Sequence, residues 1–166
     1  MKLSDTTRRF LFPSLNRRYL TRLLLVGFSC YLLFSYILIP LRIQGHSMEP
    51  TYNDASFAFC LRPQYSFSEI KRFDVVAVRF TGKSVMLLKR VIGLPGETLE
   101  FRDGALYING KLIPEPYVKH KNPWNLPPRS IHPDRVYVVG DNRGTLISHH
   151  IFGQVPINRI TGGVIP

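Results

Sequence analysis

From Leu23 to Leu41 the chain runs for nineteen residues without a charge, LLLVGFSCYLLFSYILIPL. As a helix this stretch is roughly 28 Å long, enough to cross the hydrocarbon core of a bilayer, and it predicts one transmembrane segment. Beyond Arg42 the helical period disappears. Hydrophobic positions now come in short runs rich in Val, Ile, Phe and Tyr, separated by turn residues, which predicts a mainly β domain. Strands are expected at Ser56–Leu61, Asp74–Phe80, Val85–Ile92, Thr98–Arg102, Ala105–Ile108 and Arg135–Val139. Asp103-Gly104 reads as a type I′ hairpin turn, and Asn109-Gly110 marks the next turn. From Pro114 to Pro133 six prolines interrupt the pattern. Proline has no N–H to give to a ladder, so this stretch cannot be a central strand; an extended loop anchored by Trp124 is expected. The predicted organisation is a basic N-terminus (1–22), a transmembrane anchor (23–41) and a β domain (42–166).

Charge orients this scheme. The first 22 residues carry Lys2, Arg8, Arg9, Arg17, Arg18 and Arg22 against Asp5 alone, a bias that keeps the N-terminus cytoplasmic and sends the remainder across. A cleaved secretory signal is the rival reading. The apolar run is longer than the usual core of such a signal, and no small-x-small site closely follows it. Residues 42–166 carry 16 Lys/Arg against 10 Asp/Glu with no basic run, which points to a solvated basic surface near anionic lipid rather than to nucleic acid. Hydrophobic residues make up 45% of the chain, and 12 Gly and 13 Pro are scattered, so a packed domain is expected rather than a disordered or low-complexity one. Cys30 and Cys60 have no partners at metal-ligand spacing, and the five histidines show no ligand pattern. Neither a disulfide framework nor a metal or other cofactor is expected.

Three segments carry candidate chemistry. Gly45-His46-Ser47-Met48-Glu49-Pro50-Thr51 begins only a few residues past the apolar run and places a serine close to the outer membrane face. In Leu88-Lys89-Arg90-Val91-Ile92-Gly93-Leu94-Pro95-Gly96-Glu97 a strand runs into a Gly/Pro turn. At a period of two, Lys89 shares a face with Val85, Leu87 and Val91. Burying an ammonium without a partner is costly and lowers its pKa, which is how a lysine becomes a general base near neutral pH. The third segment, Tyr137-Val138-Val139-Gly140-Asp141-Asn142-Arg143, is a buried-looking strand ending in a polar turn. Singly, each has a plain structural explanation: an exposed turn serine, a lysine that snorkels or guards an edge strand, a polar turn.

Together they are specific. An N-in anchor, then Ser-Met-x-Pro-Thr, then Lys-Arg-x-x-Gly-x-Pro-Gly-Glu, then Gly-Asp-Asn-Arg resembles the type I signal peptidases over nearly all of residues 23–166, including Phe73-Asp74-Val75-Val76 and Phe152-Gly153. The resemblance implies a β-barrel-type catalytic domain at the membrane surface that removes signal peptides with small residues at −1 and −3. It implies Ser47 as nucleophile and Lys89 as general base, with neither histidine nor metal. Met48, Pro50, Gly140, Asp141, Asn142 and Arg143 match supporting motif positions. The expected steps are transfer of the Ser47 proton to neutral Lys89, attack on the scissile carbonyl, and hydrolysis of the acyl-enzyme by water. Where some members carry a serine hydroxyl two residues before the nucleophile, this chain has Gly45, which leaves the Ser47 N–H as the expected oxyanion donor. The implied partners are preprotein signal peptides and membrane lipid. The implied site is a bacterial plasma membrane, with a mitochondrial inner membrane second.

The chain departs from the family pattern after Arg143. Aligned without gaps to Phe152-Gly153, it has Leu146 where the family has a hydroxyl, and Ser148, His149 and His150 where Asp, Ser and Arg are usual. Thr145 or Ser148 is the candidate hydroxyl that would orient Lys89. Two further readings stay open: a peptidase dedicated to a pilin or conjugation factor, and a catalytically decayed membrane-anchored peptide-binding domain. An intact Ser47 and Lys89 speak against decay.

Overall fold

A computed structural model describes residues 16–81, 85–144, 146–149 and 153–165, without the side chains of residues 80, 81, 85 and 149. An apolar helix, Arg17–Leu32, starts at Asn16, whose side chain accepts the Tyr19 N–H at 2.7 Å, and continues as a π-helical turn over Leu33–Ile37. The 21 residues Arg17–Ile37 are long and apolar enough to cross a membrane. The helix takes in Arg17, Arg18 and Arg22 at its start, and Leu38–Leu41 are not helical but belong to strand β1, Leu38–Arg42. Pro40 has no N–H for a helical bond, and β1 gains a ladder by pairing with β2 from Leu38↔Leu61 to Arg42↔Phe57. Of the basic N-terminus, residues 1–15 lie outside the described residues.

The β domain begins at Ile37. Its remaining strands are β2 (Phe57–Leu61), β3 (Val75–Thr81), β4 (Val85–Gly93), β5 (Thr98–Arg102), β6 (Ala105–Ile108), β7 (Lys111–Ile113), β8 (Leu126–Ser130), β9 (Arg135–Val139), β10 (Gly153–Pro156) and β11 (Ile160–Ile165). Seven form one antiparallel sheet in the order β1-β2-β11-β3-β4-β9-β10, and four form a second in the order β7-β6-β5-β8. The mainly β fold and the six predicted strands agree with the pattern reading to within one residue at each end. Both predicted turns have positive φ at both central residues: Asp103 48° and Gly104 77°, Asn109 50° and Gly110 76°. That is the type I′ geometry whose twist suits a two-residue hairpin.

The proline-rich stretch does form a strand, β8, but at the edge of the smaller sheet, where a missing N–H costs least. Trp124 anchors the stretch as expected. It is 3% exposed and packs edge-on to Phe101, ring centres 5.7 Å apart, in a core shared by both sheets with Ile92, Leu99, Leu106, Tyr137 and Val139. A second cluster, Ile43, Met48, Tyr52, Ala58, Cys60, Ala77 and Val164, underlies the connection between β1 and β2. Strand β11 lies between β2 and β3 although its sequence, ITGGVI, lacks a strand's bulky alternation. A Cβ on Gly162 would stand 2.3 Å from the Leu61 carbonyl oxygen, so this position excludes any side chain.

Candidate active site

The loop between β1 and β2 is tied off at its base, where the Ile43 N–H donates to the Ser56 carbonyl (2.9 Å) and the Ala55 N–H to the Ile43 carbonyl (3.1 Å). Met48, 1% exposed, plugs the loop into the second core cluster, so the residue after Ser47 holds it down. Gly45 adopts a φ of +91°, a conformation that favours glycine, and its N–H donates to Asp54 Oδ1 at 2.7 Å. Ser47 is thereby held half-buried between a fixed turn and a packed methionine, while Pro50 is exposed.

The turn after β9 grips this loop from the other side. A Cβ on Gly140 would lie 2.2 Å from the Ser47 carbonyl oxygen and 3.3 Å from the Ser47 Cβ, so only glycine admits the close approach. The Asn142 N–H donates to that same carbonyl at 3.1 Å, and Asn142 Nδ2 donates to the His46 carbonyl at 3.0 Å. Asp141 is wholly buried. Its carboxylate accepts from Arg90 Nε (2.8 Å) and Nη2 (2.5 Å) in a bidentate pair, and from the Thr51 hydroxyl at 2.5 Å. Arg143 donates from Nε to the Gly140 carbonyl (2.8 Å) and from Nη2 to Glu115 (2.7 Å), with its guanidinium 5.2 Å from the Phe101 and Trp124 ring centres. Each residue of Gly-Asp-Asn-Arg thus has a separate positional task.

Strand β4 brings in the lysine. Lys89 stands opposite Val76 of β3 and precedes Arg90, which stands opposite Val139 of β9. Val139 adjoins Gly140, and Gly140 abuts Ser47, but among the described residues no hydrogen bond joins Lys89 to Ser47. Lys89 is 5% exposed, and among the described residues no hydrogen bond or ion pair satisfies its ammonium. Burial pushes its pKa below the ordinary lysine value, with the Asp141 charge pulling weakly the other way. That carboxylate is already neutralised by Arg90, which accounts for burial prevailing.

Ser47 opens onto a groove of about 460 Å³ walled by Ile39 to Gly45 on one side and Met86, Leu87 and Leu88 on the other. Both walls include strand edges that are open among the described residues. Strand β1 ends its sheet, and the β4–β9 pairing covers only Arg90 to Gly93, so residues 86–88 have no partner on that side among the described residues. A groove between two open edges offers backbone donors and acceptors to an extended chain.

Of the candidate supporting hydroxyls, Thr145 lies outside the described residues, as do His150 and Phe152. Ser148 is exposed on a 3₁₀ turn, Ile147–His149, and has no hydrogen bond to Lys89. Sequence reasoning gave no role to Arg90, Thr51, Glu115 or Tyr117. Arg90 also donates to the Phe73 carbonyl at 2.8 Å and stacks 4.1 Å from the Tyr117 ring centre. The Lys-Arg and Pro-Thr pairs already contained two of the four. Glu115 and Tyr117 lie in the proline-rich stretch, where nothing local marks them.

The comparisons with known proteins bear on this arrangement directly. The family model described as signal peptidase, peptidase S26, matches residues 16–165. The chain belongs to this family. A signal peptidase I of Bacillus licheniformis is 32% identical over 142 residues, covering 79% of this chain and 76% of that protein. Signal peptidase I V of Bacillus subtilis strain 168 is 31% identical over 140 residues, covering 76% and 83%. A crystal structure of a signal peptidase I from Enterococcus faecalis V583 aligns at 30% identity with a TM-score of 0.48, covering 58% of this chain and 97% of that one. Family membership makes the chain a signal peptidase of the hydrolase class.

Proposed function

We propose that this protein is a membrane-anchored serine endopeptidase that removes signal peptides from exported proteins through a Ser47/Lys89 dyad and an acyl-enzyme. The observation that carries the reading is Lys89, buried and with no hydrogen bond or ion pair among the described residues, on the strand whose preceding residues wall the groove onto which Ser47 opens. An extended peptide laid between β1 and residues 86–88 would pair with both open edges, and its alternate side chains would point the same way. The groove is lined in part by Ile43, Met48 and Leu88, an apolar surface suited to the small side chains expected at −1 and −3 of the cleavage site. With the scissile carbonyl beside Ser47, neutral Lys89 takes the hydroxyl proton as the oxygen attacks. The Ser47 N–H stabilises the oxyanion, Lys89 returns the proton to the leaving amine, and a water activated by Lys89 then releases the acyl group.

The Arg17–Ile37 segment would anchor the domain in a bacterial plasma membrane, with the positive N-terminus inside and the active site outside, where signal peptides emerge. Two experiments test this. Ser47→Ala and Lys89→Ala should each stop cleavage of a preprotein by folded, membrane-embedded protein; turnover near wild type in either removes the dyad. In sealed right-side-out membranes, added protease should digest the β domain and spare the N-terminus. Protection of the domain would reverse the orientation.

A further inference from the structure

We infer that Asn142 is a positioning residue for the oxyanion donor: it sets the peptide plane that carries the Ser47 N–H. The inference rests on the reading of Ser47 as nucleophile and adds to it the means by which the donor is aimed. A trans peptide is planar, with its C=O and N–H pointing in opposite directions. The His46 carbonyl and the Ser47 N–H belong to one such plane. Asn142 Nδ2 holds that carbonyl at 3.0 Å, so the Ser47 N–H is turned away from Asn142. The Ser47 N–H donates to no described residue, which leaves it available to a bound carbonyl oxygen. The next peptide plane is held by the same residue, since the Asn142 backbone N–H donates to the Ser47 carbonyl at 3.1 Å. Asn142 therefore clamps both planes that flank the nucleophile.

The amide itself is held in one orientation. Its Oδ1 accepts the Gly144 N–H at 3.3 Å while its Nδ2 faces a carbonyl, and only one way of turning the amide suits both partners. The clamp matters more in this chain than it would beside a second donor. With Gly45 two residues before Ser47, no hydroxyl stands at that position to share the oxyanion. Aspartate at 142 would keep the backbone bond and the acceptor, but would set a carboxylate oxygen against the His46 carbonyl. Alanine would remove the side-chain clamp alone.

The test uses the full-length enzyme in detergent or vesicles with a signal-peptide substrate and a peptide aldehyde that forms a tetrahedral adduct on Ser47. Asn142→Ala and Asn142→Asp should lower kcat by roughly tenfold or more, below the ~10²–10³ lost on deleting an oxyanion donor outright. KM should stay within about twofold, because ground-state binding does not use the donor. Affinity for the aldehyde should fall in parallel with kcat, while affinity for the uncleaved peptide, measured in a Ser47→Ala background, should not. Equal losses of aldehyde and peptide affinity, or wild-type kcat in variants of unchanged melting temperature, overturns the assignment. If neither variant folds, the wild-type enzyme supplies the check by NMR: the Ser47 amide proton should move downfield on aldehyde binding, and an unmoved proton overturns it equally. Full turnover by Ser47→Ala would instead remove the nucleophile reading on which the inference stands.

Discussion

The two faces of strand β4 treat neighbouring cations in opposite ways. Arg90 and Lys89 are adjacent, almost equally buried at 8% and 5% exposure, and point to opposite sides of the sheet. On one face Arg90 meets the Asp141 carboxylate in a bidentate pair, the Phe73 carbonyl and the Tyr117 ring, so its charge is compensated several times over. On the other, Lys89 stands opposite Val76 with no ion pair among the described residues, and burial outweighs the Asp141 charge and pushes its pKa down. A planar, permanently charged guanidinium suits the first environment, and an amine able to lose its proton suits the second. A buried cation whose partners come with it keeps its charge, and one whose partners are withheld is free to lose its proton.

Exchanging the two behaviours is the severest test of this contrast. Lys89→Arg should abolish acylation, a loss of roughly 10⁴-fold or more in kcat, because guanidinium cannot serve as the base. Turnover by this variant, followed with a fluorogenic signal peptide, would remove Lys89 from the mechanism. Arg90→Met should act on stability. It strands Asp141 as a buried, unpaired carboxylate, a situation that costs about 3–5 kcal/mol. Chemical denaturation in detergent should show this drop, and an unchanged midpoint would mean that the Arg90–Asp141 pair holds nothing together.

Gly140→Ala should come next. Its Cβ would stand 2.2 Å from the Ser47 carbonyl oxygen, a backbone atom, so the Ser47 loop must shift. A displacement of about 1 Å at a reacting group can lower the rate by roughly 10²-fold. Substrate turnover measured alongside the melting temperature separates that displacement from simple unfolding; a fully active Gly140→Ala enzyme would mean the contact is not needed.

The mildest effect concerns the Lys89 proton. Activity should rise with pH as the ammonium is lost, with the limb below the ordinary lysine value because burial favours the neutral amine. Val91 shares the Lys89 face but is fully buried among Val76, Val78, Val136 and Val138, so a carboxylate there would disturb the core. Leu87, half-buried on the groove wall, is the better place. Leu87→Asp should stabilise the ammonium, raise the pKa and move the limb to higher pH. A full pH–rate profile of acylation reads this as a shift; an unmoved limb in an active variant would show that Lys89 is not desolvated or is not the base.

Period and turn chemistry alone determined much of this protein. The apolar span, six strands, two type I′ turns and the three motif segments follow from local hydrophobic spacing and from residues with special backbone preferences. They are legible because each depends on neighbours close in sequence. Tertiary structure decided where the apolar run stops being helix, since Leu38–Leu41 are claimed by pairing with β2, some twenty residues away. It also placed the glycine-rich β11 between β2 and β3, and it joined Glu115 to Arg143 and Tyr117 to Arg90. The same is true of the site. Lysine on an apolar face was visible in the sequence, but the grip of Gly140 and Asn142 on Ser47, more than ninety residues earlier, was not. Such contacts are selected by the sum of burial and pairing over the whole domain, and no local pattern records that sum.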